Sequence, residues 1–301
     1  MILRKIAEYW HQQGLLHAIT FLLSKFVDRT PVGTWLWLRN YVSNQQRLTH
    51  EPRLDLAQVD RQIAAVGINV LVLDADADEY HRYLDTAKYP DGYFRSGSEL
   101  DRYFHDYGFQ HFSSLKMVEL NRNSVLLDVA SYTSPFPQIV RQIYGCRVIR
   151  QDLVYAVGRD PDVIGGNACQ LPIDGSTIDV ITLHNSFHHF ENDQDGDFVR
   201  EAYRILKPGG KVVITPLTLS QMHYVLISAF ILLGWLALDP GAQLIFQRRQ
   251  SGRFERHYDV EALQNRVLDA APFKAHVCRV THSERIWDGM GIPYMLLLEK
   301  S

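Results

Sequence analysis

The sequence predicts a doubly wound parallel α/β sheet preceded by a helical amino-terminal region. From Ser124 onward, short β-type runs alternate with helical segments, and Pro208–Gly210 separates an amphipathic helix from a further strand. The chain has 301 residues, of which 46% are hydrophobic and 22% charged, enough for a large core. Strands that alternate with helices are typical of βαβ units, whose ligands bind at the carboxyl ends of the strands.

Composition excludes several functional classes. The net charge is −3, from 31 Lys and Arg against 34 Asp and Glu, which disfavours nucleic acid as the main partner. The three cysteines, Cys146, Cys169 and Cys278, are far apart and have neither disulfide nor metal-ligand spacing. We therefore expect a cytoplasmic protein, with peripheral membrane contact left open. The sequence does not indicate an oligomeric state.

The predicted domain boundary lies near residue 120. Residues 1–120 are expected to form a helical region that packs on the core, with an amphipathic helix over 2–27 rather than an export signal and a short strand at Asn69–Asp74. Residues 121–301 are expected to form the α/β domain, with an apolar insertion at about 218–256. Within that domain the predicted strands are Val125–Val129, Arg147–Gln151, Asp179–His184 and Lys211–Thr215, and the predicted helices are Pro135–Tyr144 and Asp197–Leu206.

An ordered set of motifs within Val163–Leu217 carries a family resemblance. This stretch resembles the second half of a class I, S-adenosylmethionine-dependent methyltransferase domain of the type-11 family. The pattern is an amide residue after a strand, an LP turn, the opening of a strand, an HHF loop, an acidic and a basic helix residue, and an LKPGG segment. The matching residues are Asn167–Ala168, Leu171–Pro172, Ile178–Asp179, His188–Phe190, Glu201, Arg204 and Leu206–Gly210.

The resemblance implies a Rossmann-like doubly wound fold with S-adenosylmethionine as the cofactor. It also implies a late antiparallel strand, for which Tyr294–Glu299 fits. The family's glycine-rich cofactor loop is altered, because Ala130, Tyr132 and Ser134 stand at its three glycine positions. We interpret the loop as rebuilt, since Ser134 and Pro135 are suited to open a helix whose amide end can face the methionine carboxylate.

The resemblance also assigns residues to the cofactor. Asp152 follows the second strand, where a carboxylate accepts hydrogen bonds from both ribose hydroxyls. The alternative is that Asp152 only caps a turn. Asn167 is expected beside the adenine amine. The predicted cofactor-binding residues are Asp128, Ala130, Ser131, Asp152, Leu153, Asn167, Ala168 and His184.

His188 and His189 are the candidate catalytic residues. Methyl transfer needs a base only when the acceptor loses a proton, and histidine suits that task near neutral pH. The alternative is that the HHF loop serves packing. No His, Cys and Asp set has zinc-ligand spacing, and no nucleophile elbow is present, so we predict neither a metal site nor a serine hydrolase.

The segment Tyr224–Leu238 contains fifteen residues without a charge. A spanning helix needs about 20 apolar residues, so we expect a buried helix or a lid over the acceptor site. Four arginines follow, Arg248, Arg249, Arg253 and Arg256. A solvated loop is the favoured interpretation, and contact with a membrane surface or an anionic lipid is the alternative.

Two functions of different class follow from these observations. The first is S-adenosylmethionine-dependent methyl transfer to a small-molecule or lipid-linked acceptor. The second is a methyltransferase-fold protein without methyl transfer, acting as a binding or scaffold subunit. The altered glycine loop is the feature that separates them.

Overall fold

A computed structural model describes residues 50–91, 93–94, 99–156, 160–227, 239–246, 254–286 and 291–301. Several sequence predictions lie outside these residues: the helix over 2–27, the apolar residues 228–238, and three of the four arginines, Arg248, Arg249 and Arg253.

The described residues include six α-helices and eleven strands. The helices are α1 (Leu56–Ala65), α2 (Ala77–Ala87), α3 (Glu99–Lys116), α4 (Phe136–Tyr144), α5 (Gln194–Ile205) and α6 (Val260–Arg266). The strands are β1 (Asn69–Asp74), β2 (Val125–Val129), β3 (Arg147–Asp152), β4 (Val163–Gly165), β5 (Ile178–His184), β6 (Leu206–Thr215), β7 (Tyr224–Ile227), β8 (Gln243–Phe246), β9 (Phe254–His257), β10 (Phe273–Thr281) and β11 (Tyr294–Lys300). A 3₁₀ turn at Phe187–His189 follows β5.

Eight strands form one sheet in the order β1-β10-β11-β6-β5-β2-β3-β4. Strands β2 to β6 are parallel to one another, and β11 lies antiparallel between β6 and β10. This order confirms the doubly wound fold and the late antiparallel strand at Tyr294–Glu299. The short strand β1 pairs in parallel with β10 and extends the edge of the sheet.

The register of the central strands places two acidic residues side by side. Asp128 on β2 pairs with Arg150 on β3, and Val129 pairs with Gln151. Asp128 and Asp152 therefore lie at neighbouring strand ends, as the alternation of strands and helices predicted. Both belong to the carboxyl edge of the sheet, where this fold class binds ligands.

Aromatic residues from the helices form part of the core of this sheet. Tyr80 on α2 and Phe109 and Phe112 on α3 are buried, and they cluster with Phe136 and with buried strand residues such as Leu126. Helix α3 therefore belongs to the core that supports the strand ends. The division of the chain near residue 120 stays a prediction.

The contact pattern divides the chain into two compact units. The described residues of one unit fall within 61–187, 196–217 and 267–301, and they contain the large sheet. Those of the other fall within 50–60, 188–195 and 218–266, and they contain a three-stranded sheet in the order β8-β7-β9. None of the described helices is long and apolar enough to cross a membrane.

Two expectations about the insertion are wrong within the described residues. Tyr224–Ile227 is a buried strand rather than the start of a helix, because it pairs with β8 on one side and β9 on the other. Arg256 does not solvate a loop: its side chain is 0% exposed, because two buried carboxylates neutralise it. The strand Tyr224–Ile227 and Arg256 both belong to the three-stranded sheet.

Two helix boundaries also differ from the sequence prediction. Helix α5 ends at Ile205, and β6 begins at once, so the LKPGG segment lies within the strand rather than at the helix end. The pairing with β5 is irregular at this segment, because Ile178 pairs with Leu206 whereas Val180 pairs with Lys211. Gly209, between these two positions of β6, has a φ of 75°. Helix α4 begins one residue later than expected, at Phe136, whose amide donates to the Ser134 hydroxyl.

Candidate functional site

The loop after β2 has the backbone conformation that glycine favours. Ala130 has a φ of 54° and Tyr132 a φ of 37°, although neither is glycine. A side chain at positive φ places Cβ against the following carbonyl, which glycine avoids. The altered loop thus adopts left-handed backbone at two of the three positions where the family has glycine.

Asp152 fastens this loop to the neighbouring strand end. Its Oδ2 accepts the Tyr132 amide at 2.9 Å, and its Oδ1 accepts the Val154 amide at 3.0 Å. The side chain is 9% exposed. The preceding residue contributes as well, because the Gln151 backbone carbonyl accepts the Ser131 amide at 2.9 Å. The loop after β2 is therefore held from β3.

Tyr155 packs over the same region. Its hydroxyl donates to the Tyr132 carbonyl, and its ring lies 5.6 Å from the Arg150 guanidinium carbon. The backbone of Tyr155 also approaches the end of β4, since a Cβ added to Gly165 would lie 2.1 Å from the Tyr155 carbonyl oxygen. Only glycine fits at position 165 while the turn after β3 keeps this path. Tyr132 as a residue is 38% exposed, so it does not occupy a closed pocket.

Three further predicted cofactor-binding residues, including Asn167, which was expected beside adenine, lie in the turns after β3 and β4. Asn167 Oδ1 accepts the Cys169 amide at 2.9 Å, and Ala168 is buried. Leu153 is 42% exposed and follows Asp152 directly. The two turns are joined because the Gly166 amide donates to the Asp152 carbonyl at 3.2 Å.

His184, at the end of β5, joins a chain of buried polar side chains. Its Nε2 lies 3.0 Å from the Ser114 hydroxyl, and its Nδ1 lies 3.3 Å from Asp128 Oδ1. That carboxylate oxygen also accepts the Thr182 hydroxyl at 2.9 Å. The other oxygen, Asp128 Oδ2, is buried and has no hydrogen-bond partner among the described residues. A buried acceptor without a partner is uncommon in proteins and suits a ligand that donates.

A second buried histidine stands beside this chain. His111 on α3 hydrogen-bonds the Tyr89 hydroxyl through Nδ1 at 2.8 Å, and its Nε2 lies 3.4 Å from the Ser134 hydroxyl. Its ring centroid is 4.9 Å from that of His184. Burial, followed by the proximity of His184, lowers the pKa of His111 well below its ordinary value. His111 is therefore a neutral imidazole at physiological pH.

The large sheet brings most of the predicted cofactor residues to one edge. Asp128, Ala130, Ser131, Asp152 and His184 are linked by the hydrogen bonds and close contacts described above. Leu153, Asn167 and Ala168 lie in the two joined turns. Their roles toward a cofactor stay predictions.

His188 and His189 belong to the other compact unit, where β9 lies against them. The His189 Nδ1 donates to the Phe254 carbonyl at 2.7 Å, and the two histidine rings are 4.1 Å apart. His188 is 5% exposed, and burial together with His189 lowers its pKa to about 3. A ligand atom from each of His188, His189 and Glu255 lies within 4.8 Å of the others.

Glu255 is held by a further histidine. His257 Nε2 lies 3.0 Å from Glu255 Oε1, and His257 Nδ1 lies 2.9 Å from the Tyr224 hydroxyl. Burial raises the pKa of Glu255, but the hydrogen bond from His257 and the charges of His188, His257 and His189 lower it to about 2. Glu255 is therefore a carboxylate under all physiological conditions.

Two arginines hold the segment that carries the histidines. Arg256 donates two hydrogen bonds to Asp239, and its Nη1 lies 3.0 Å from Asp195 Oδ2. Arg256 also donates to the Phe190 carbonyl at 2.7 Å. Arg266 contacts both oxygens of Asp195 at 2.9 Å. Residues 188–195 are thereby fixed against β9.

Sequence reasoning missed several residues of these clusters. His111 and Ser114 lie on α3, outside the segment that carries the family resemblance, and their helical spacing is that of ordinary core residues. Thr182 is an unremarkable residue within a buried strand. Glu255 directly precedes Arg256, which was expected in a solvated loop, and it is 66 positions from His189 in the sequence. Only the tertiary fold brings it there.

Comparison with known proteins locates the family resemblance within the chain. The methyltransferase domain family matches residues 127–214, which confirms the resemblance inferred from the motifs. No curated protein matches the chain. Several solved structures are similar at low identity.

Phosphoethanolamine N-methyltransferase 2 of Haemonchus contortus is 16% identical, with a TM-score of 0.42, over 73% of this chain and 60% of that one. An S-adenosylmethionine-dependent methyltransferase of Mesorhizobium loti is 16% identical, with a TM-score of 0.42, over 64% of this chain and 98% of that one. The YcgJ protein of Bacillus subtilis is 21% identical, with a TM-score of 0.28, over 36% of this chain and 49% of that one. The chain thus spans 60% of the length of the Haemonchus protein and 49% of the length of the Bacillus protein. Residues 127–214, which match the methyltransferase domain family, lie within the doubly wound sheet.

Proposed function

We propose that the protein binds S-adenosylmethionine and transfers its methyl group to a small-molecule or lipid-linked acceptor. The observation that carries the proposal is the loop after β2, which lies inside the matched methyltransferase segment. This loop keeps positive φ at Ala130 and Tyr132 although both residues carry side chains. A backbone conformation of this kind is strained, and such strain is concentrated at binding sites.

The residues around the loop fit the cofactor's chemistry. The buried Asp128 Oδ2 suits a donor such as the cofactor's amino group. Asp152 is proposed to bind the ribose hydroxyls, and Ala130 and Ser131 to lie against the methionine portion. Leu153, Asn167 and Ala168 are proposed to flank adenine. The cofactor, once bound, supplies an activated sulfonium methyl, so the protein's task is to place donor and acceptor in line.

The acceptor side is proposed to involve His188 and His189. The low pKa of His188 makes its imidazole neutral but weakly basic at pH 7. A proton acceptor with so low a pKa contributes little, so His189 is the better candidate base of the two. His184 is proposed to contact the cofactor and to be oriented by Ser114 and Asp128.

A second function, binding without methyl transfer, is favoured by one observation. Both Asp152 oxygens accept backbone amides, and Tyr155 packs over the loop they hold. If the remaining acceptor positions of Asp152 do not face a ligand, its carboxylate serves only to hold the loop. The chain would then act as a binding or scaffold subunit with a methyltransferase fold.

Calorimetry with S-adenosylhomocysteine separates the two functions at the level of binding. The purified protein is expected to bind this product at one site, and Asp152→Ala should weaken that binding. Asp197→Ala, on the exposed face of α5, is the control and should leave the binding unchanged. The absence of binding to the parent protein would overturn the proposal.

Transfer from methyl-labelled S-adenosylmethionine then tests the reaction itself. Labelled product is expected to appear in either the aqueous or the organic phase when a cell extract supplies acceptors, and the phase distinguishes a small from a lipid-linked acceptor. Binding without any labelled product would favour the scaffold function.

A further inference from the structure

We propose that His188, His189 and Glu255 form a binding site for a divalent transition-metal ion. All three residues lie within one compact unit of the chain. The proposal departs from the sequence prediction of no metal site. When the ion is bound, His188 and His189 are its ligands and do not act as bases, so the base role proposed above applies only to the protein without the ion.

The geometry supports coordination by two imidazoles and one carboxylate. One ligand atom from each side chain lies within 4.8 Å of the other two. Zinc bonds of about 2.0–2.1 Å place tetrahedral ligands roughly 3.4 Å apart, so the three ligand atoms must approach one another by up to about 1.4 Å when zinc binds. Two histidines and one carboxylate are a ligand set used by zinc and by non-haem iron, and they leave positions open for a substrate.

The buried state of His188 is an independent observation. His188 is 5% exposed, and its Nδ1 has no hydrogen-bond partner among the described residues. Buried polar atoms of this kind are nearly always paired in native proteins. A bound metal ion would explain a buried imidazole nitrogen without a protein partner.

The surrounding contacts orient the ligands as metal sites require. His189 donates its Nδ1 proton to the Phe254 carbonyl, which leaves Nε2 as the nitrogen with a lone pair. His257 bonds one oxygen of Glu255 and is itself bonded by the Tyr224 hydroxyl. Outer hydrogen bonds of both kinds fix ring orientation and carboxylate position around bound metals.

Alternating strand geometry explains how the carboxylate reaches the histidines. Glu255 and His257 are two residues apart on β9, so their side chains project from the same face of the strand. Arg256 lies between them and points to the opposite face, where it meets Asp239 and the carbonyls of residues 190 and 192. One strand thus supplies a ligand and fixes the segment that carries the other two.

Metal analysis of the full-length protein tests the site directly. After removal of metal with a chelator, calorimetry with zinc chloride is expected to show one saturable site in the parent protein. Glu255→Gln and His189→Gln should raise the zinc dissociation constant by more than about 100-fold, and His257→Gln by roughly 10–100-fold. His276→Gln, a histidine on β10, is the control and should bind zinc as the parent does.

X-ray absorption of the zinc-loaded parent protein keeps the test independent of variant folding. The expected spectrum has nitrogen and oxygen neighbours at about 2.0–2.2 Å and no sulfur. Failure of the parent to bind zinc, cysteine sulfur in the spectrum, or zinc binding unaffected by Glu255→Gln in a folded variant would overturn the proposal. The binding of S-adenosylhomocysteine is measured separately, so the failure of one proposal leaves the other testable.

Discussion

The Asp152 carboxylate accepts the backbone amide of Tyr132 at 2.9 Å, which ties the proposed ribose ligand to the residue that replaces the central glycine. A carboxylate offers roughly four acceptor positions, so fastening a loop and binding a diol are compatible. The same side chain therefore links the altered loop to the proposed cofactor site. Its removal is expected to affect both.

Asp152→Ala should weaken the binding of S-adenosylhomocysteine by about 1.5–3 kcal/mol, the range for hydrogen bonds to a charged group. The variant loses the acceptor of the ribose hydroxyls and also the anchor of Tyr132. Calorimetry gives the affinity, and circular dichroism establishes that the variant is folded. An unchanged affinity in a folded variant would remove Asp152 from the site.

Tyr132→Gly tests whether the large side chain obstructs the cofactor. Because Tyr132 is 38% exposed as a residue and its backbone already has positive φ, we expect cofactor affinity to change little or to fall as the loop loosens. Ala130→Gly is the matched variant, since it relieves the same kind of φ without removing a ring. Calorimetry on both variants decides the matter: cofactor binding that appears only in Tyr132→Gly would support the scaffold function.

The sheet was predictable because local and tertiary signals agree in it. Runs such as Val125–Val129 are apolar and bounded by turn residues, and they form buried parallel strands as expected. The position of Asp152 beside Asp128 follows from that alternation alone. Tyr294–Glu299 needed the family resemblance as well, because its antiparallel direction is a property of topology.

The insertion was predicted less well because its signals are ambiguous. A short apolar run is consistent with either a buried helix or a buried strand, and Tyr224–Ile227 forms a strand because β8 and β9 pair with it. Arg256 appeared to belong to a charged loop. Its burial depends on Asp195 and Asp239, which are distant in sequence, so the pattern around it carries no sign of the pairing.

Asp239 makes stability depend on pH at the acid end. Burial raises its pKa, but hydrogen bonds from Arg256 and His223 outweigh this and hold the pKa well below the ordinary 3.8. A carboxyl with a depressed folded pKa stabilises the protein above its unfolded pKa, and this stabilisation is lost as the pH falls toward the folded value. Asp239→Asn should therefore cost about 3 kcal/mol at pH 7, because Arg256 loses a buried partner.

Urea unfolding at several pH values measures this effect. The difference between the parent and Asp239→Asn should shrink as the pH falls below about 4, because the parent carboxylate then gains a proton on unfolding. Asp197→Asn, at an exposed pair with Arg200, should lower stability by no more than about 1 kcal/mol. A difference between parent and Asp239→Asn that stays constant down to pH 2 would show that the charge of Asp239 does not stabilise the fold.

Gly165→Ala tests the turn that follows the second central strand. An added Cβ would lie 2.1 Å from the Tyr155 carbonyl oxygen, a backbone atom that cannot rotate away. The turn carrying Leu153 and Tyr155 must move, and the Tyr155 hydrogen bond to the Tyr132 carbonyl should break. Overpacking of this kind costs about 1–3 kcal/mol, measurable by thermal unfolding. Gly175→Ala is the matched control, since its Cβ would meet its nearest neighbour, the Arg204 carbonyl, at 3.3 Å.

Binding measurements on the same two variants test whether the turn forms part of the proposed cofactor site. If it does, S-adenosylhomocysteine binding should weaken in Gly165→Ala and stay unchanged in Gly175→Ala. Equal affinity in both variants, with the expected loss of stability in the first, would mean that the turn supports the fold without contacting the cofactor.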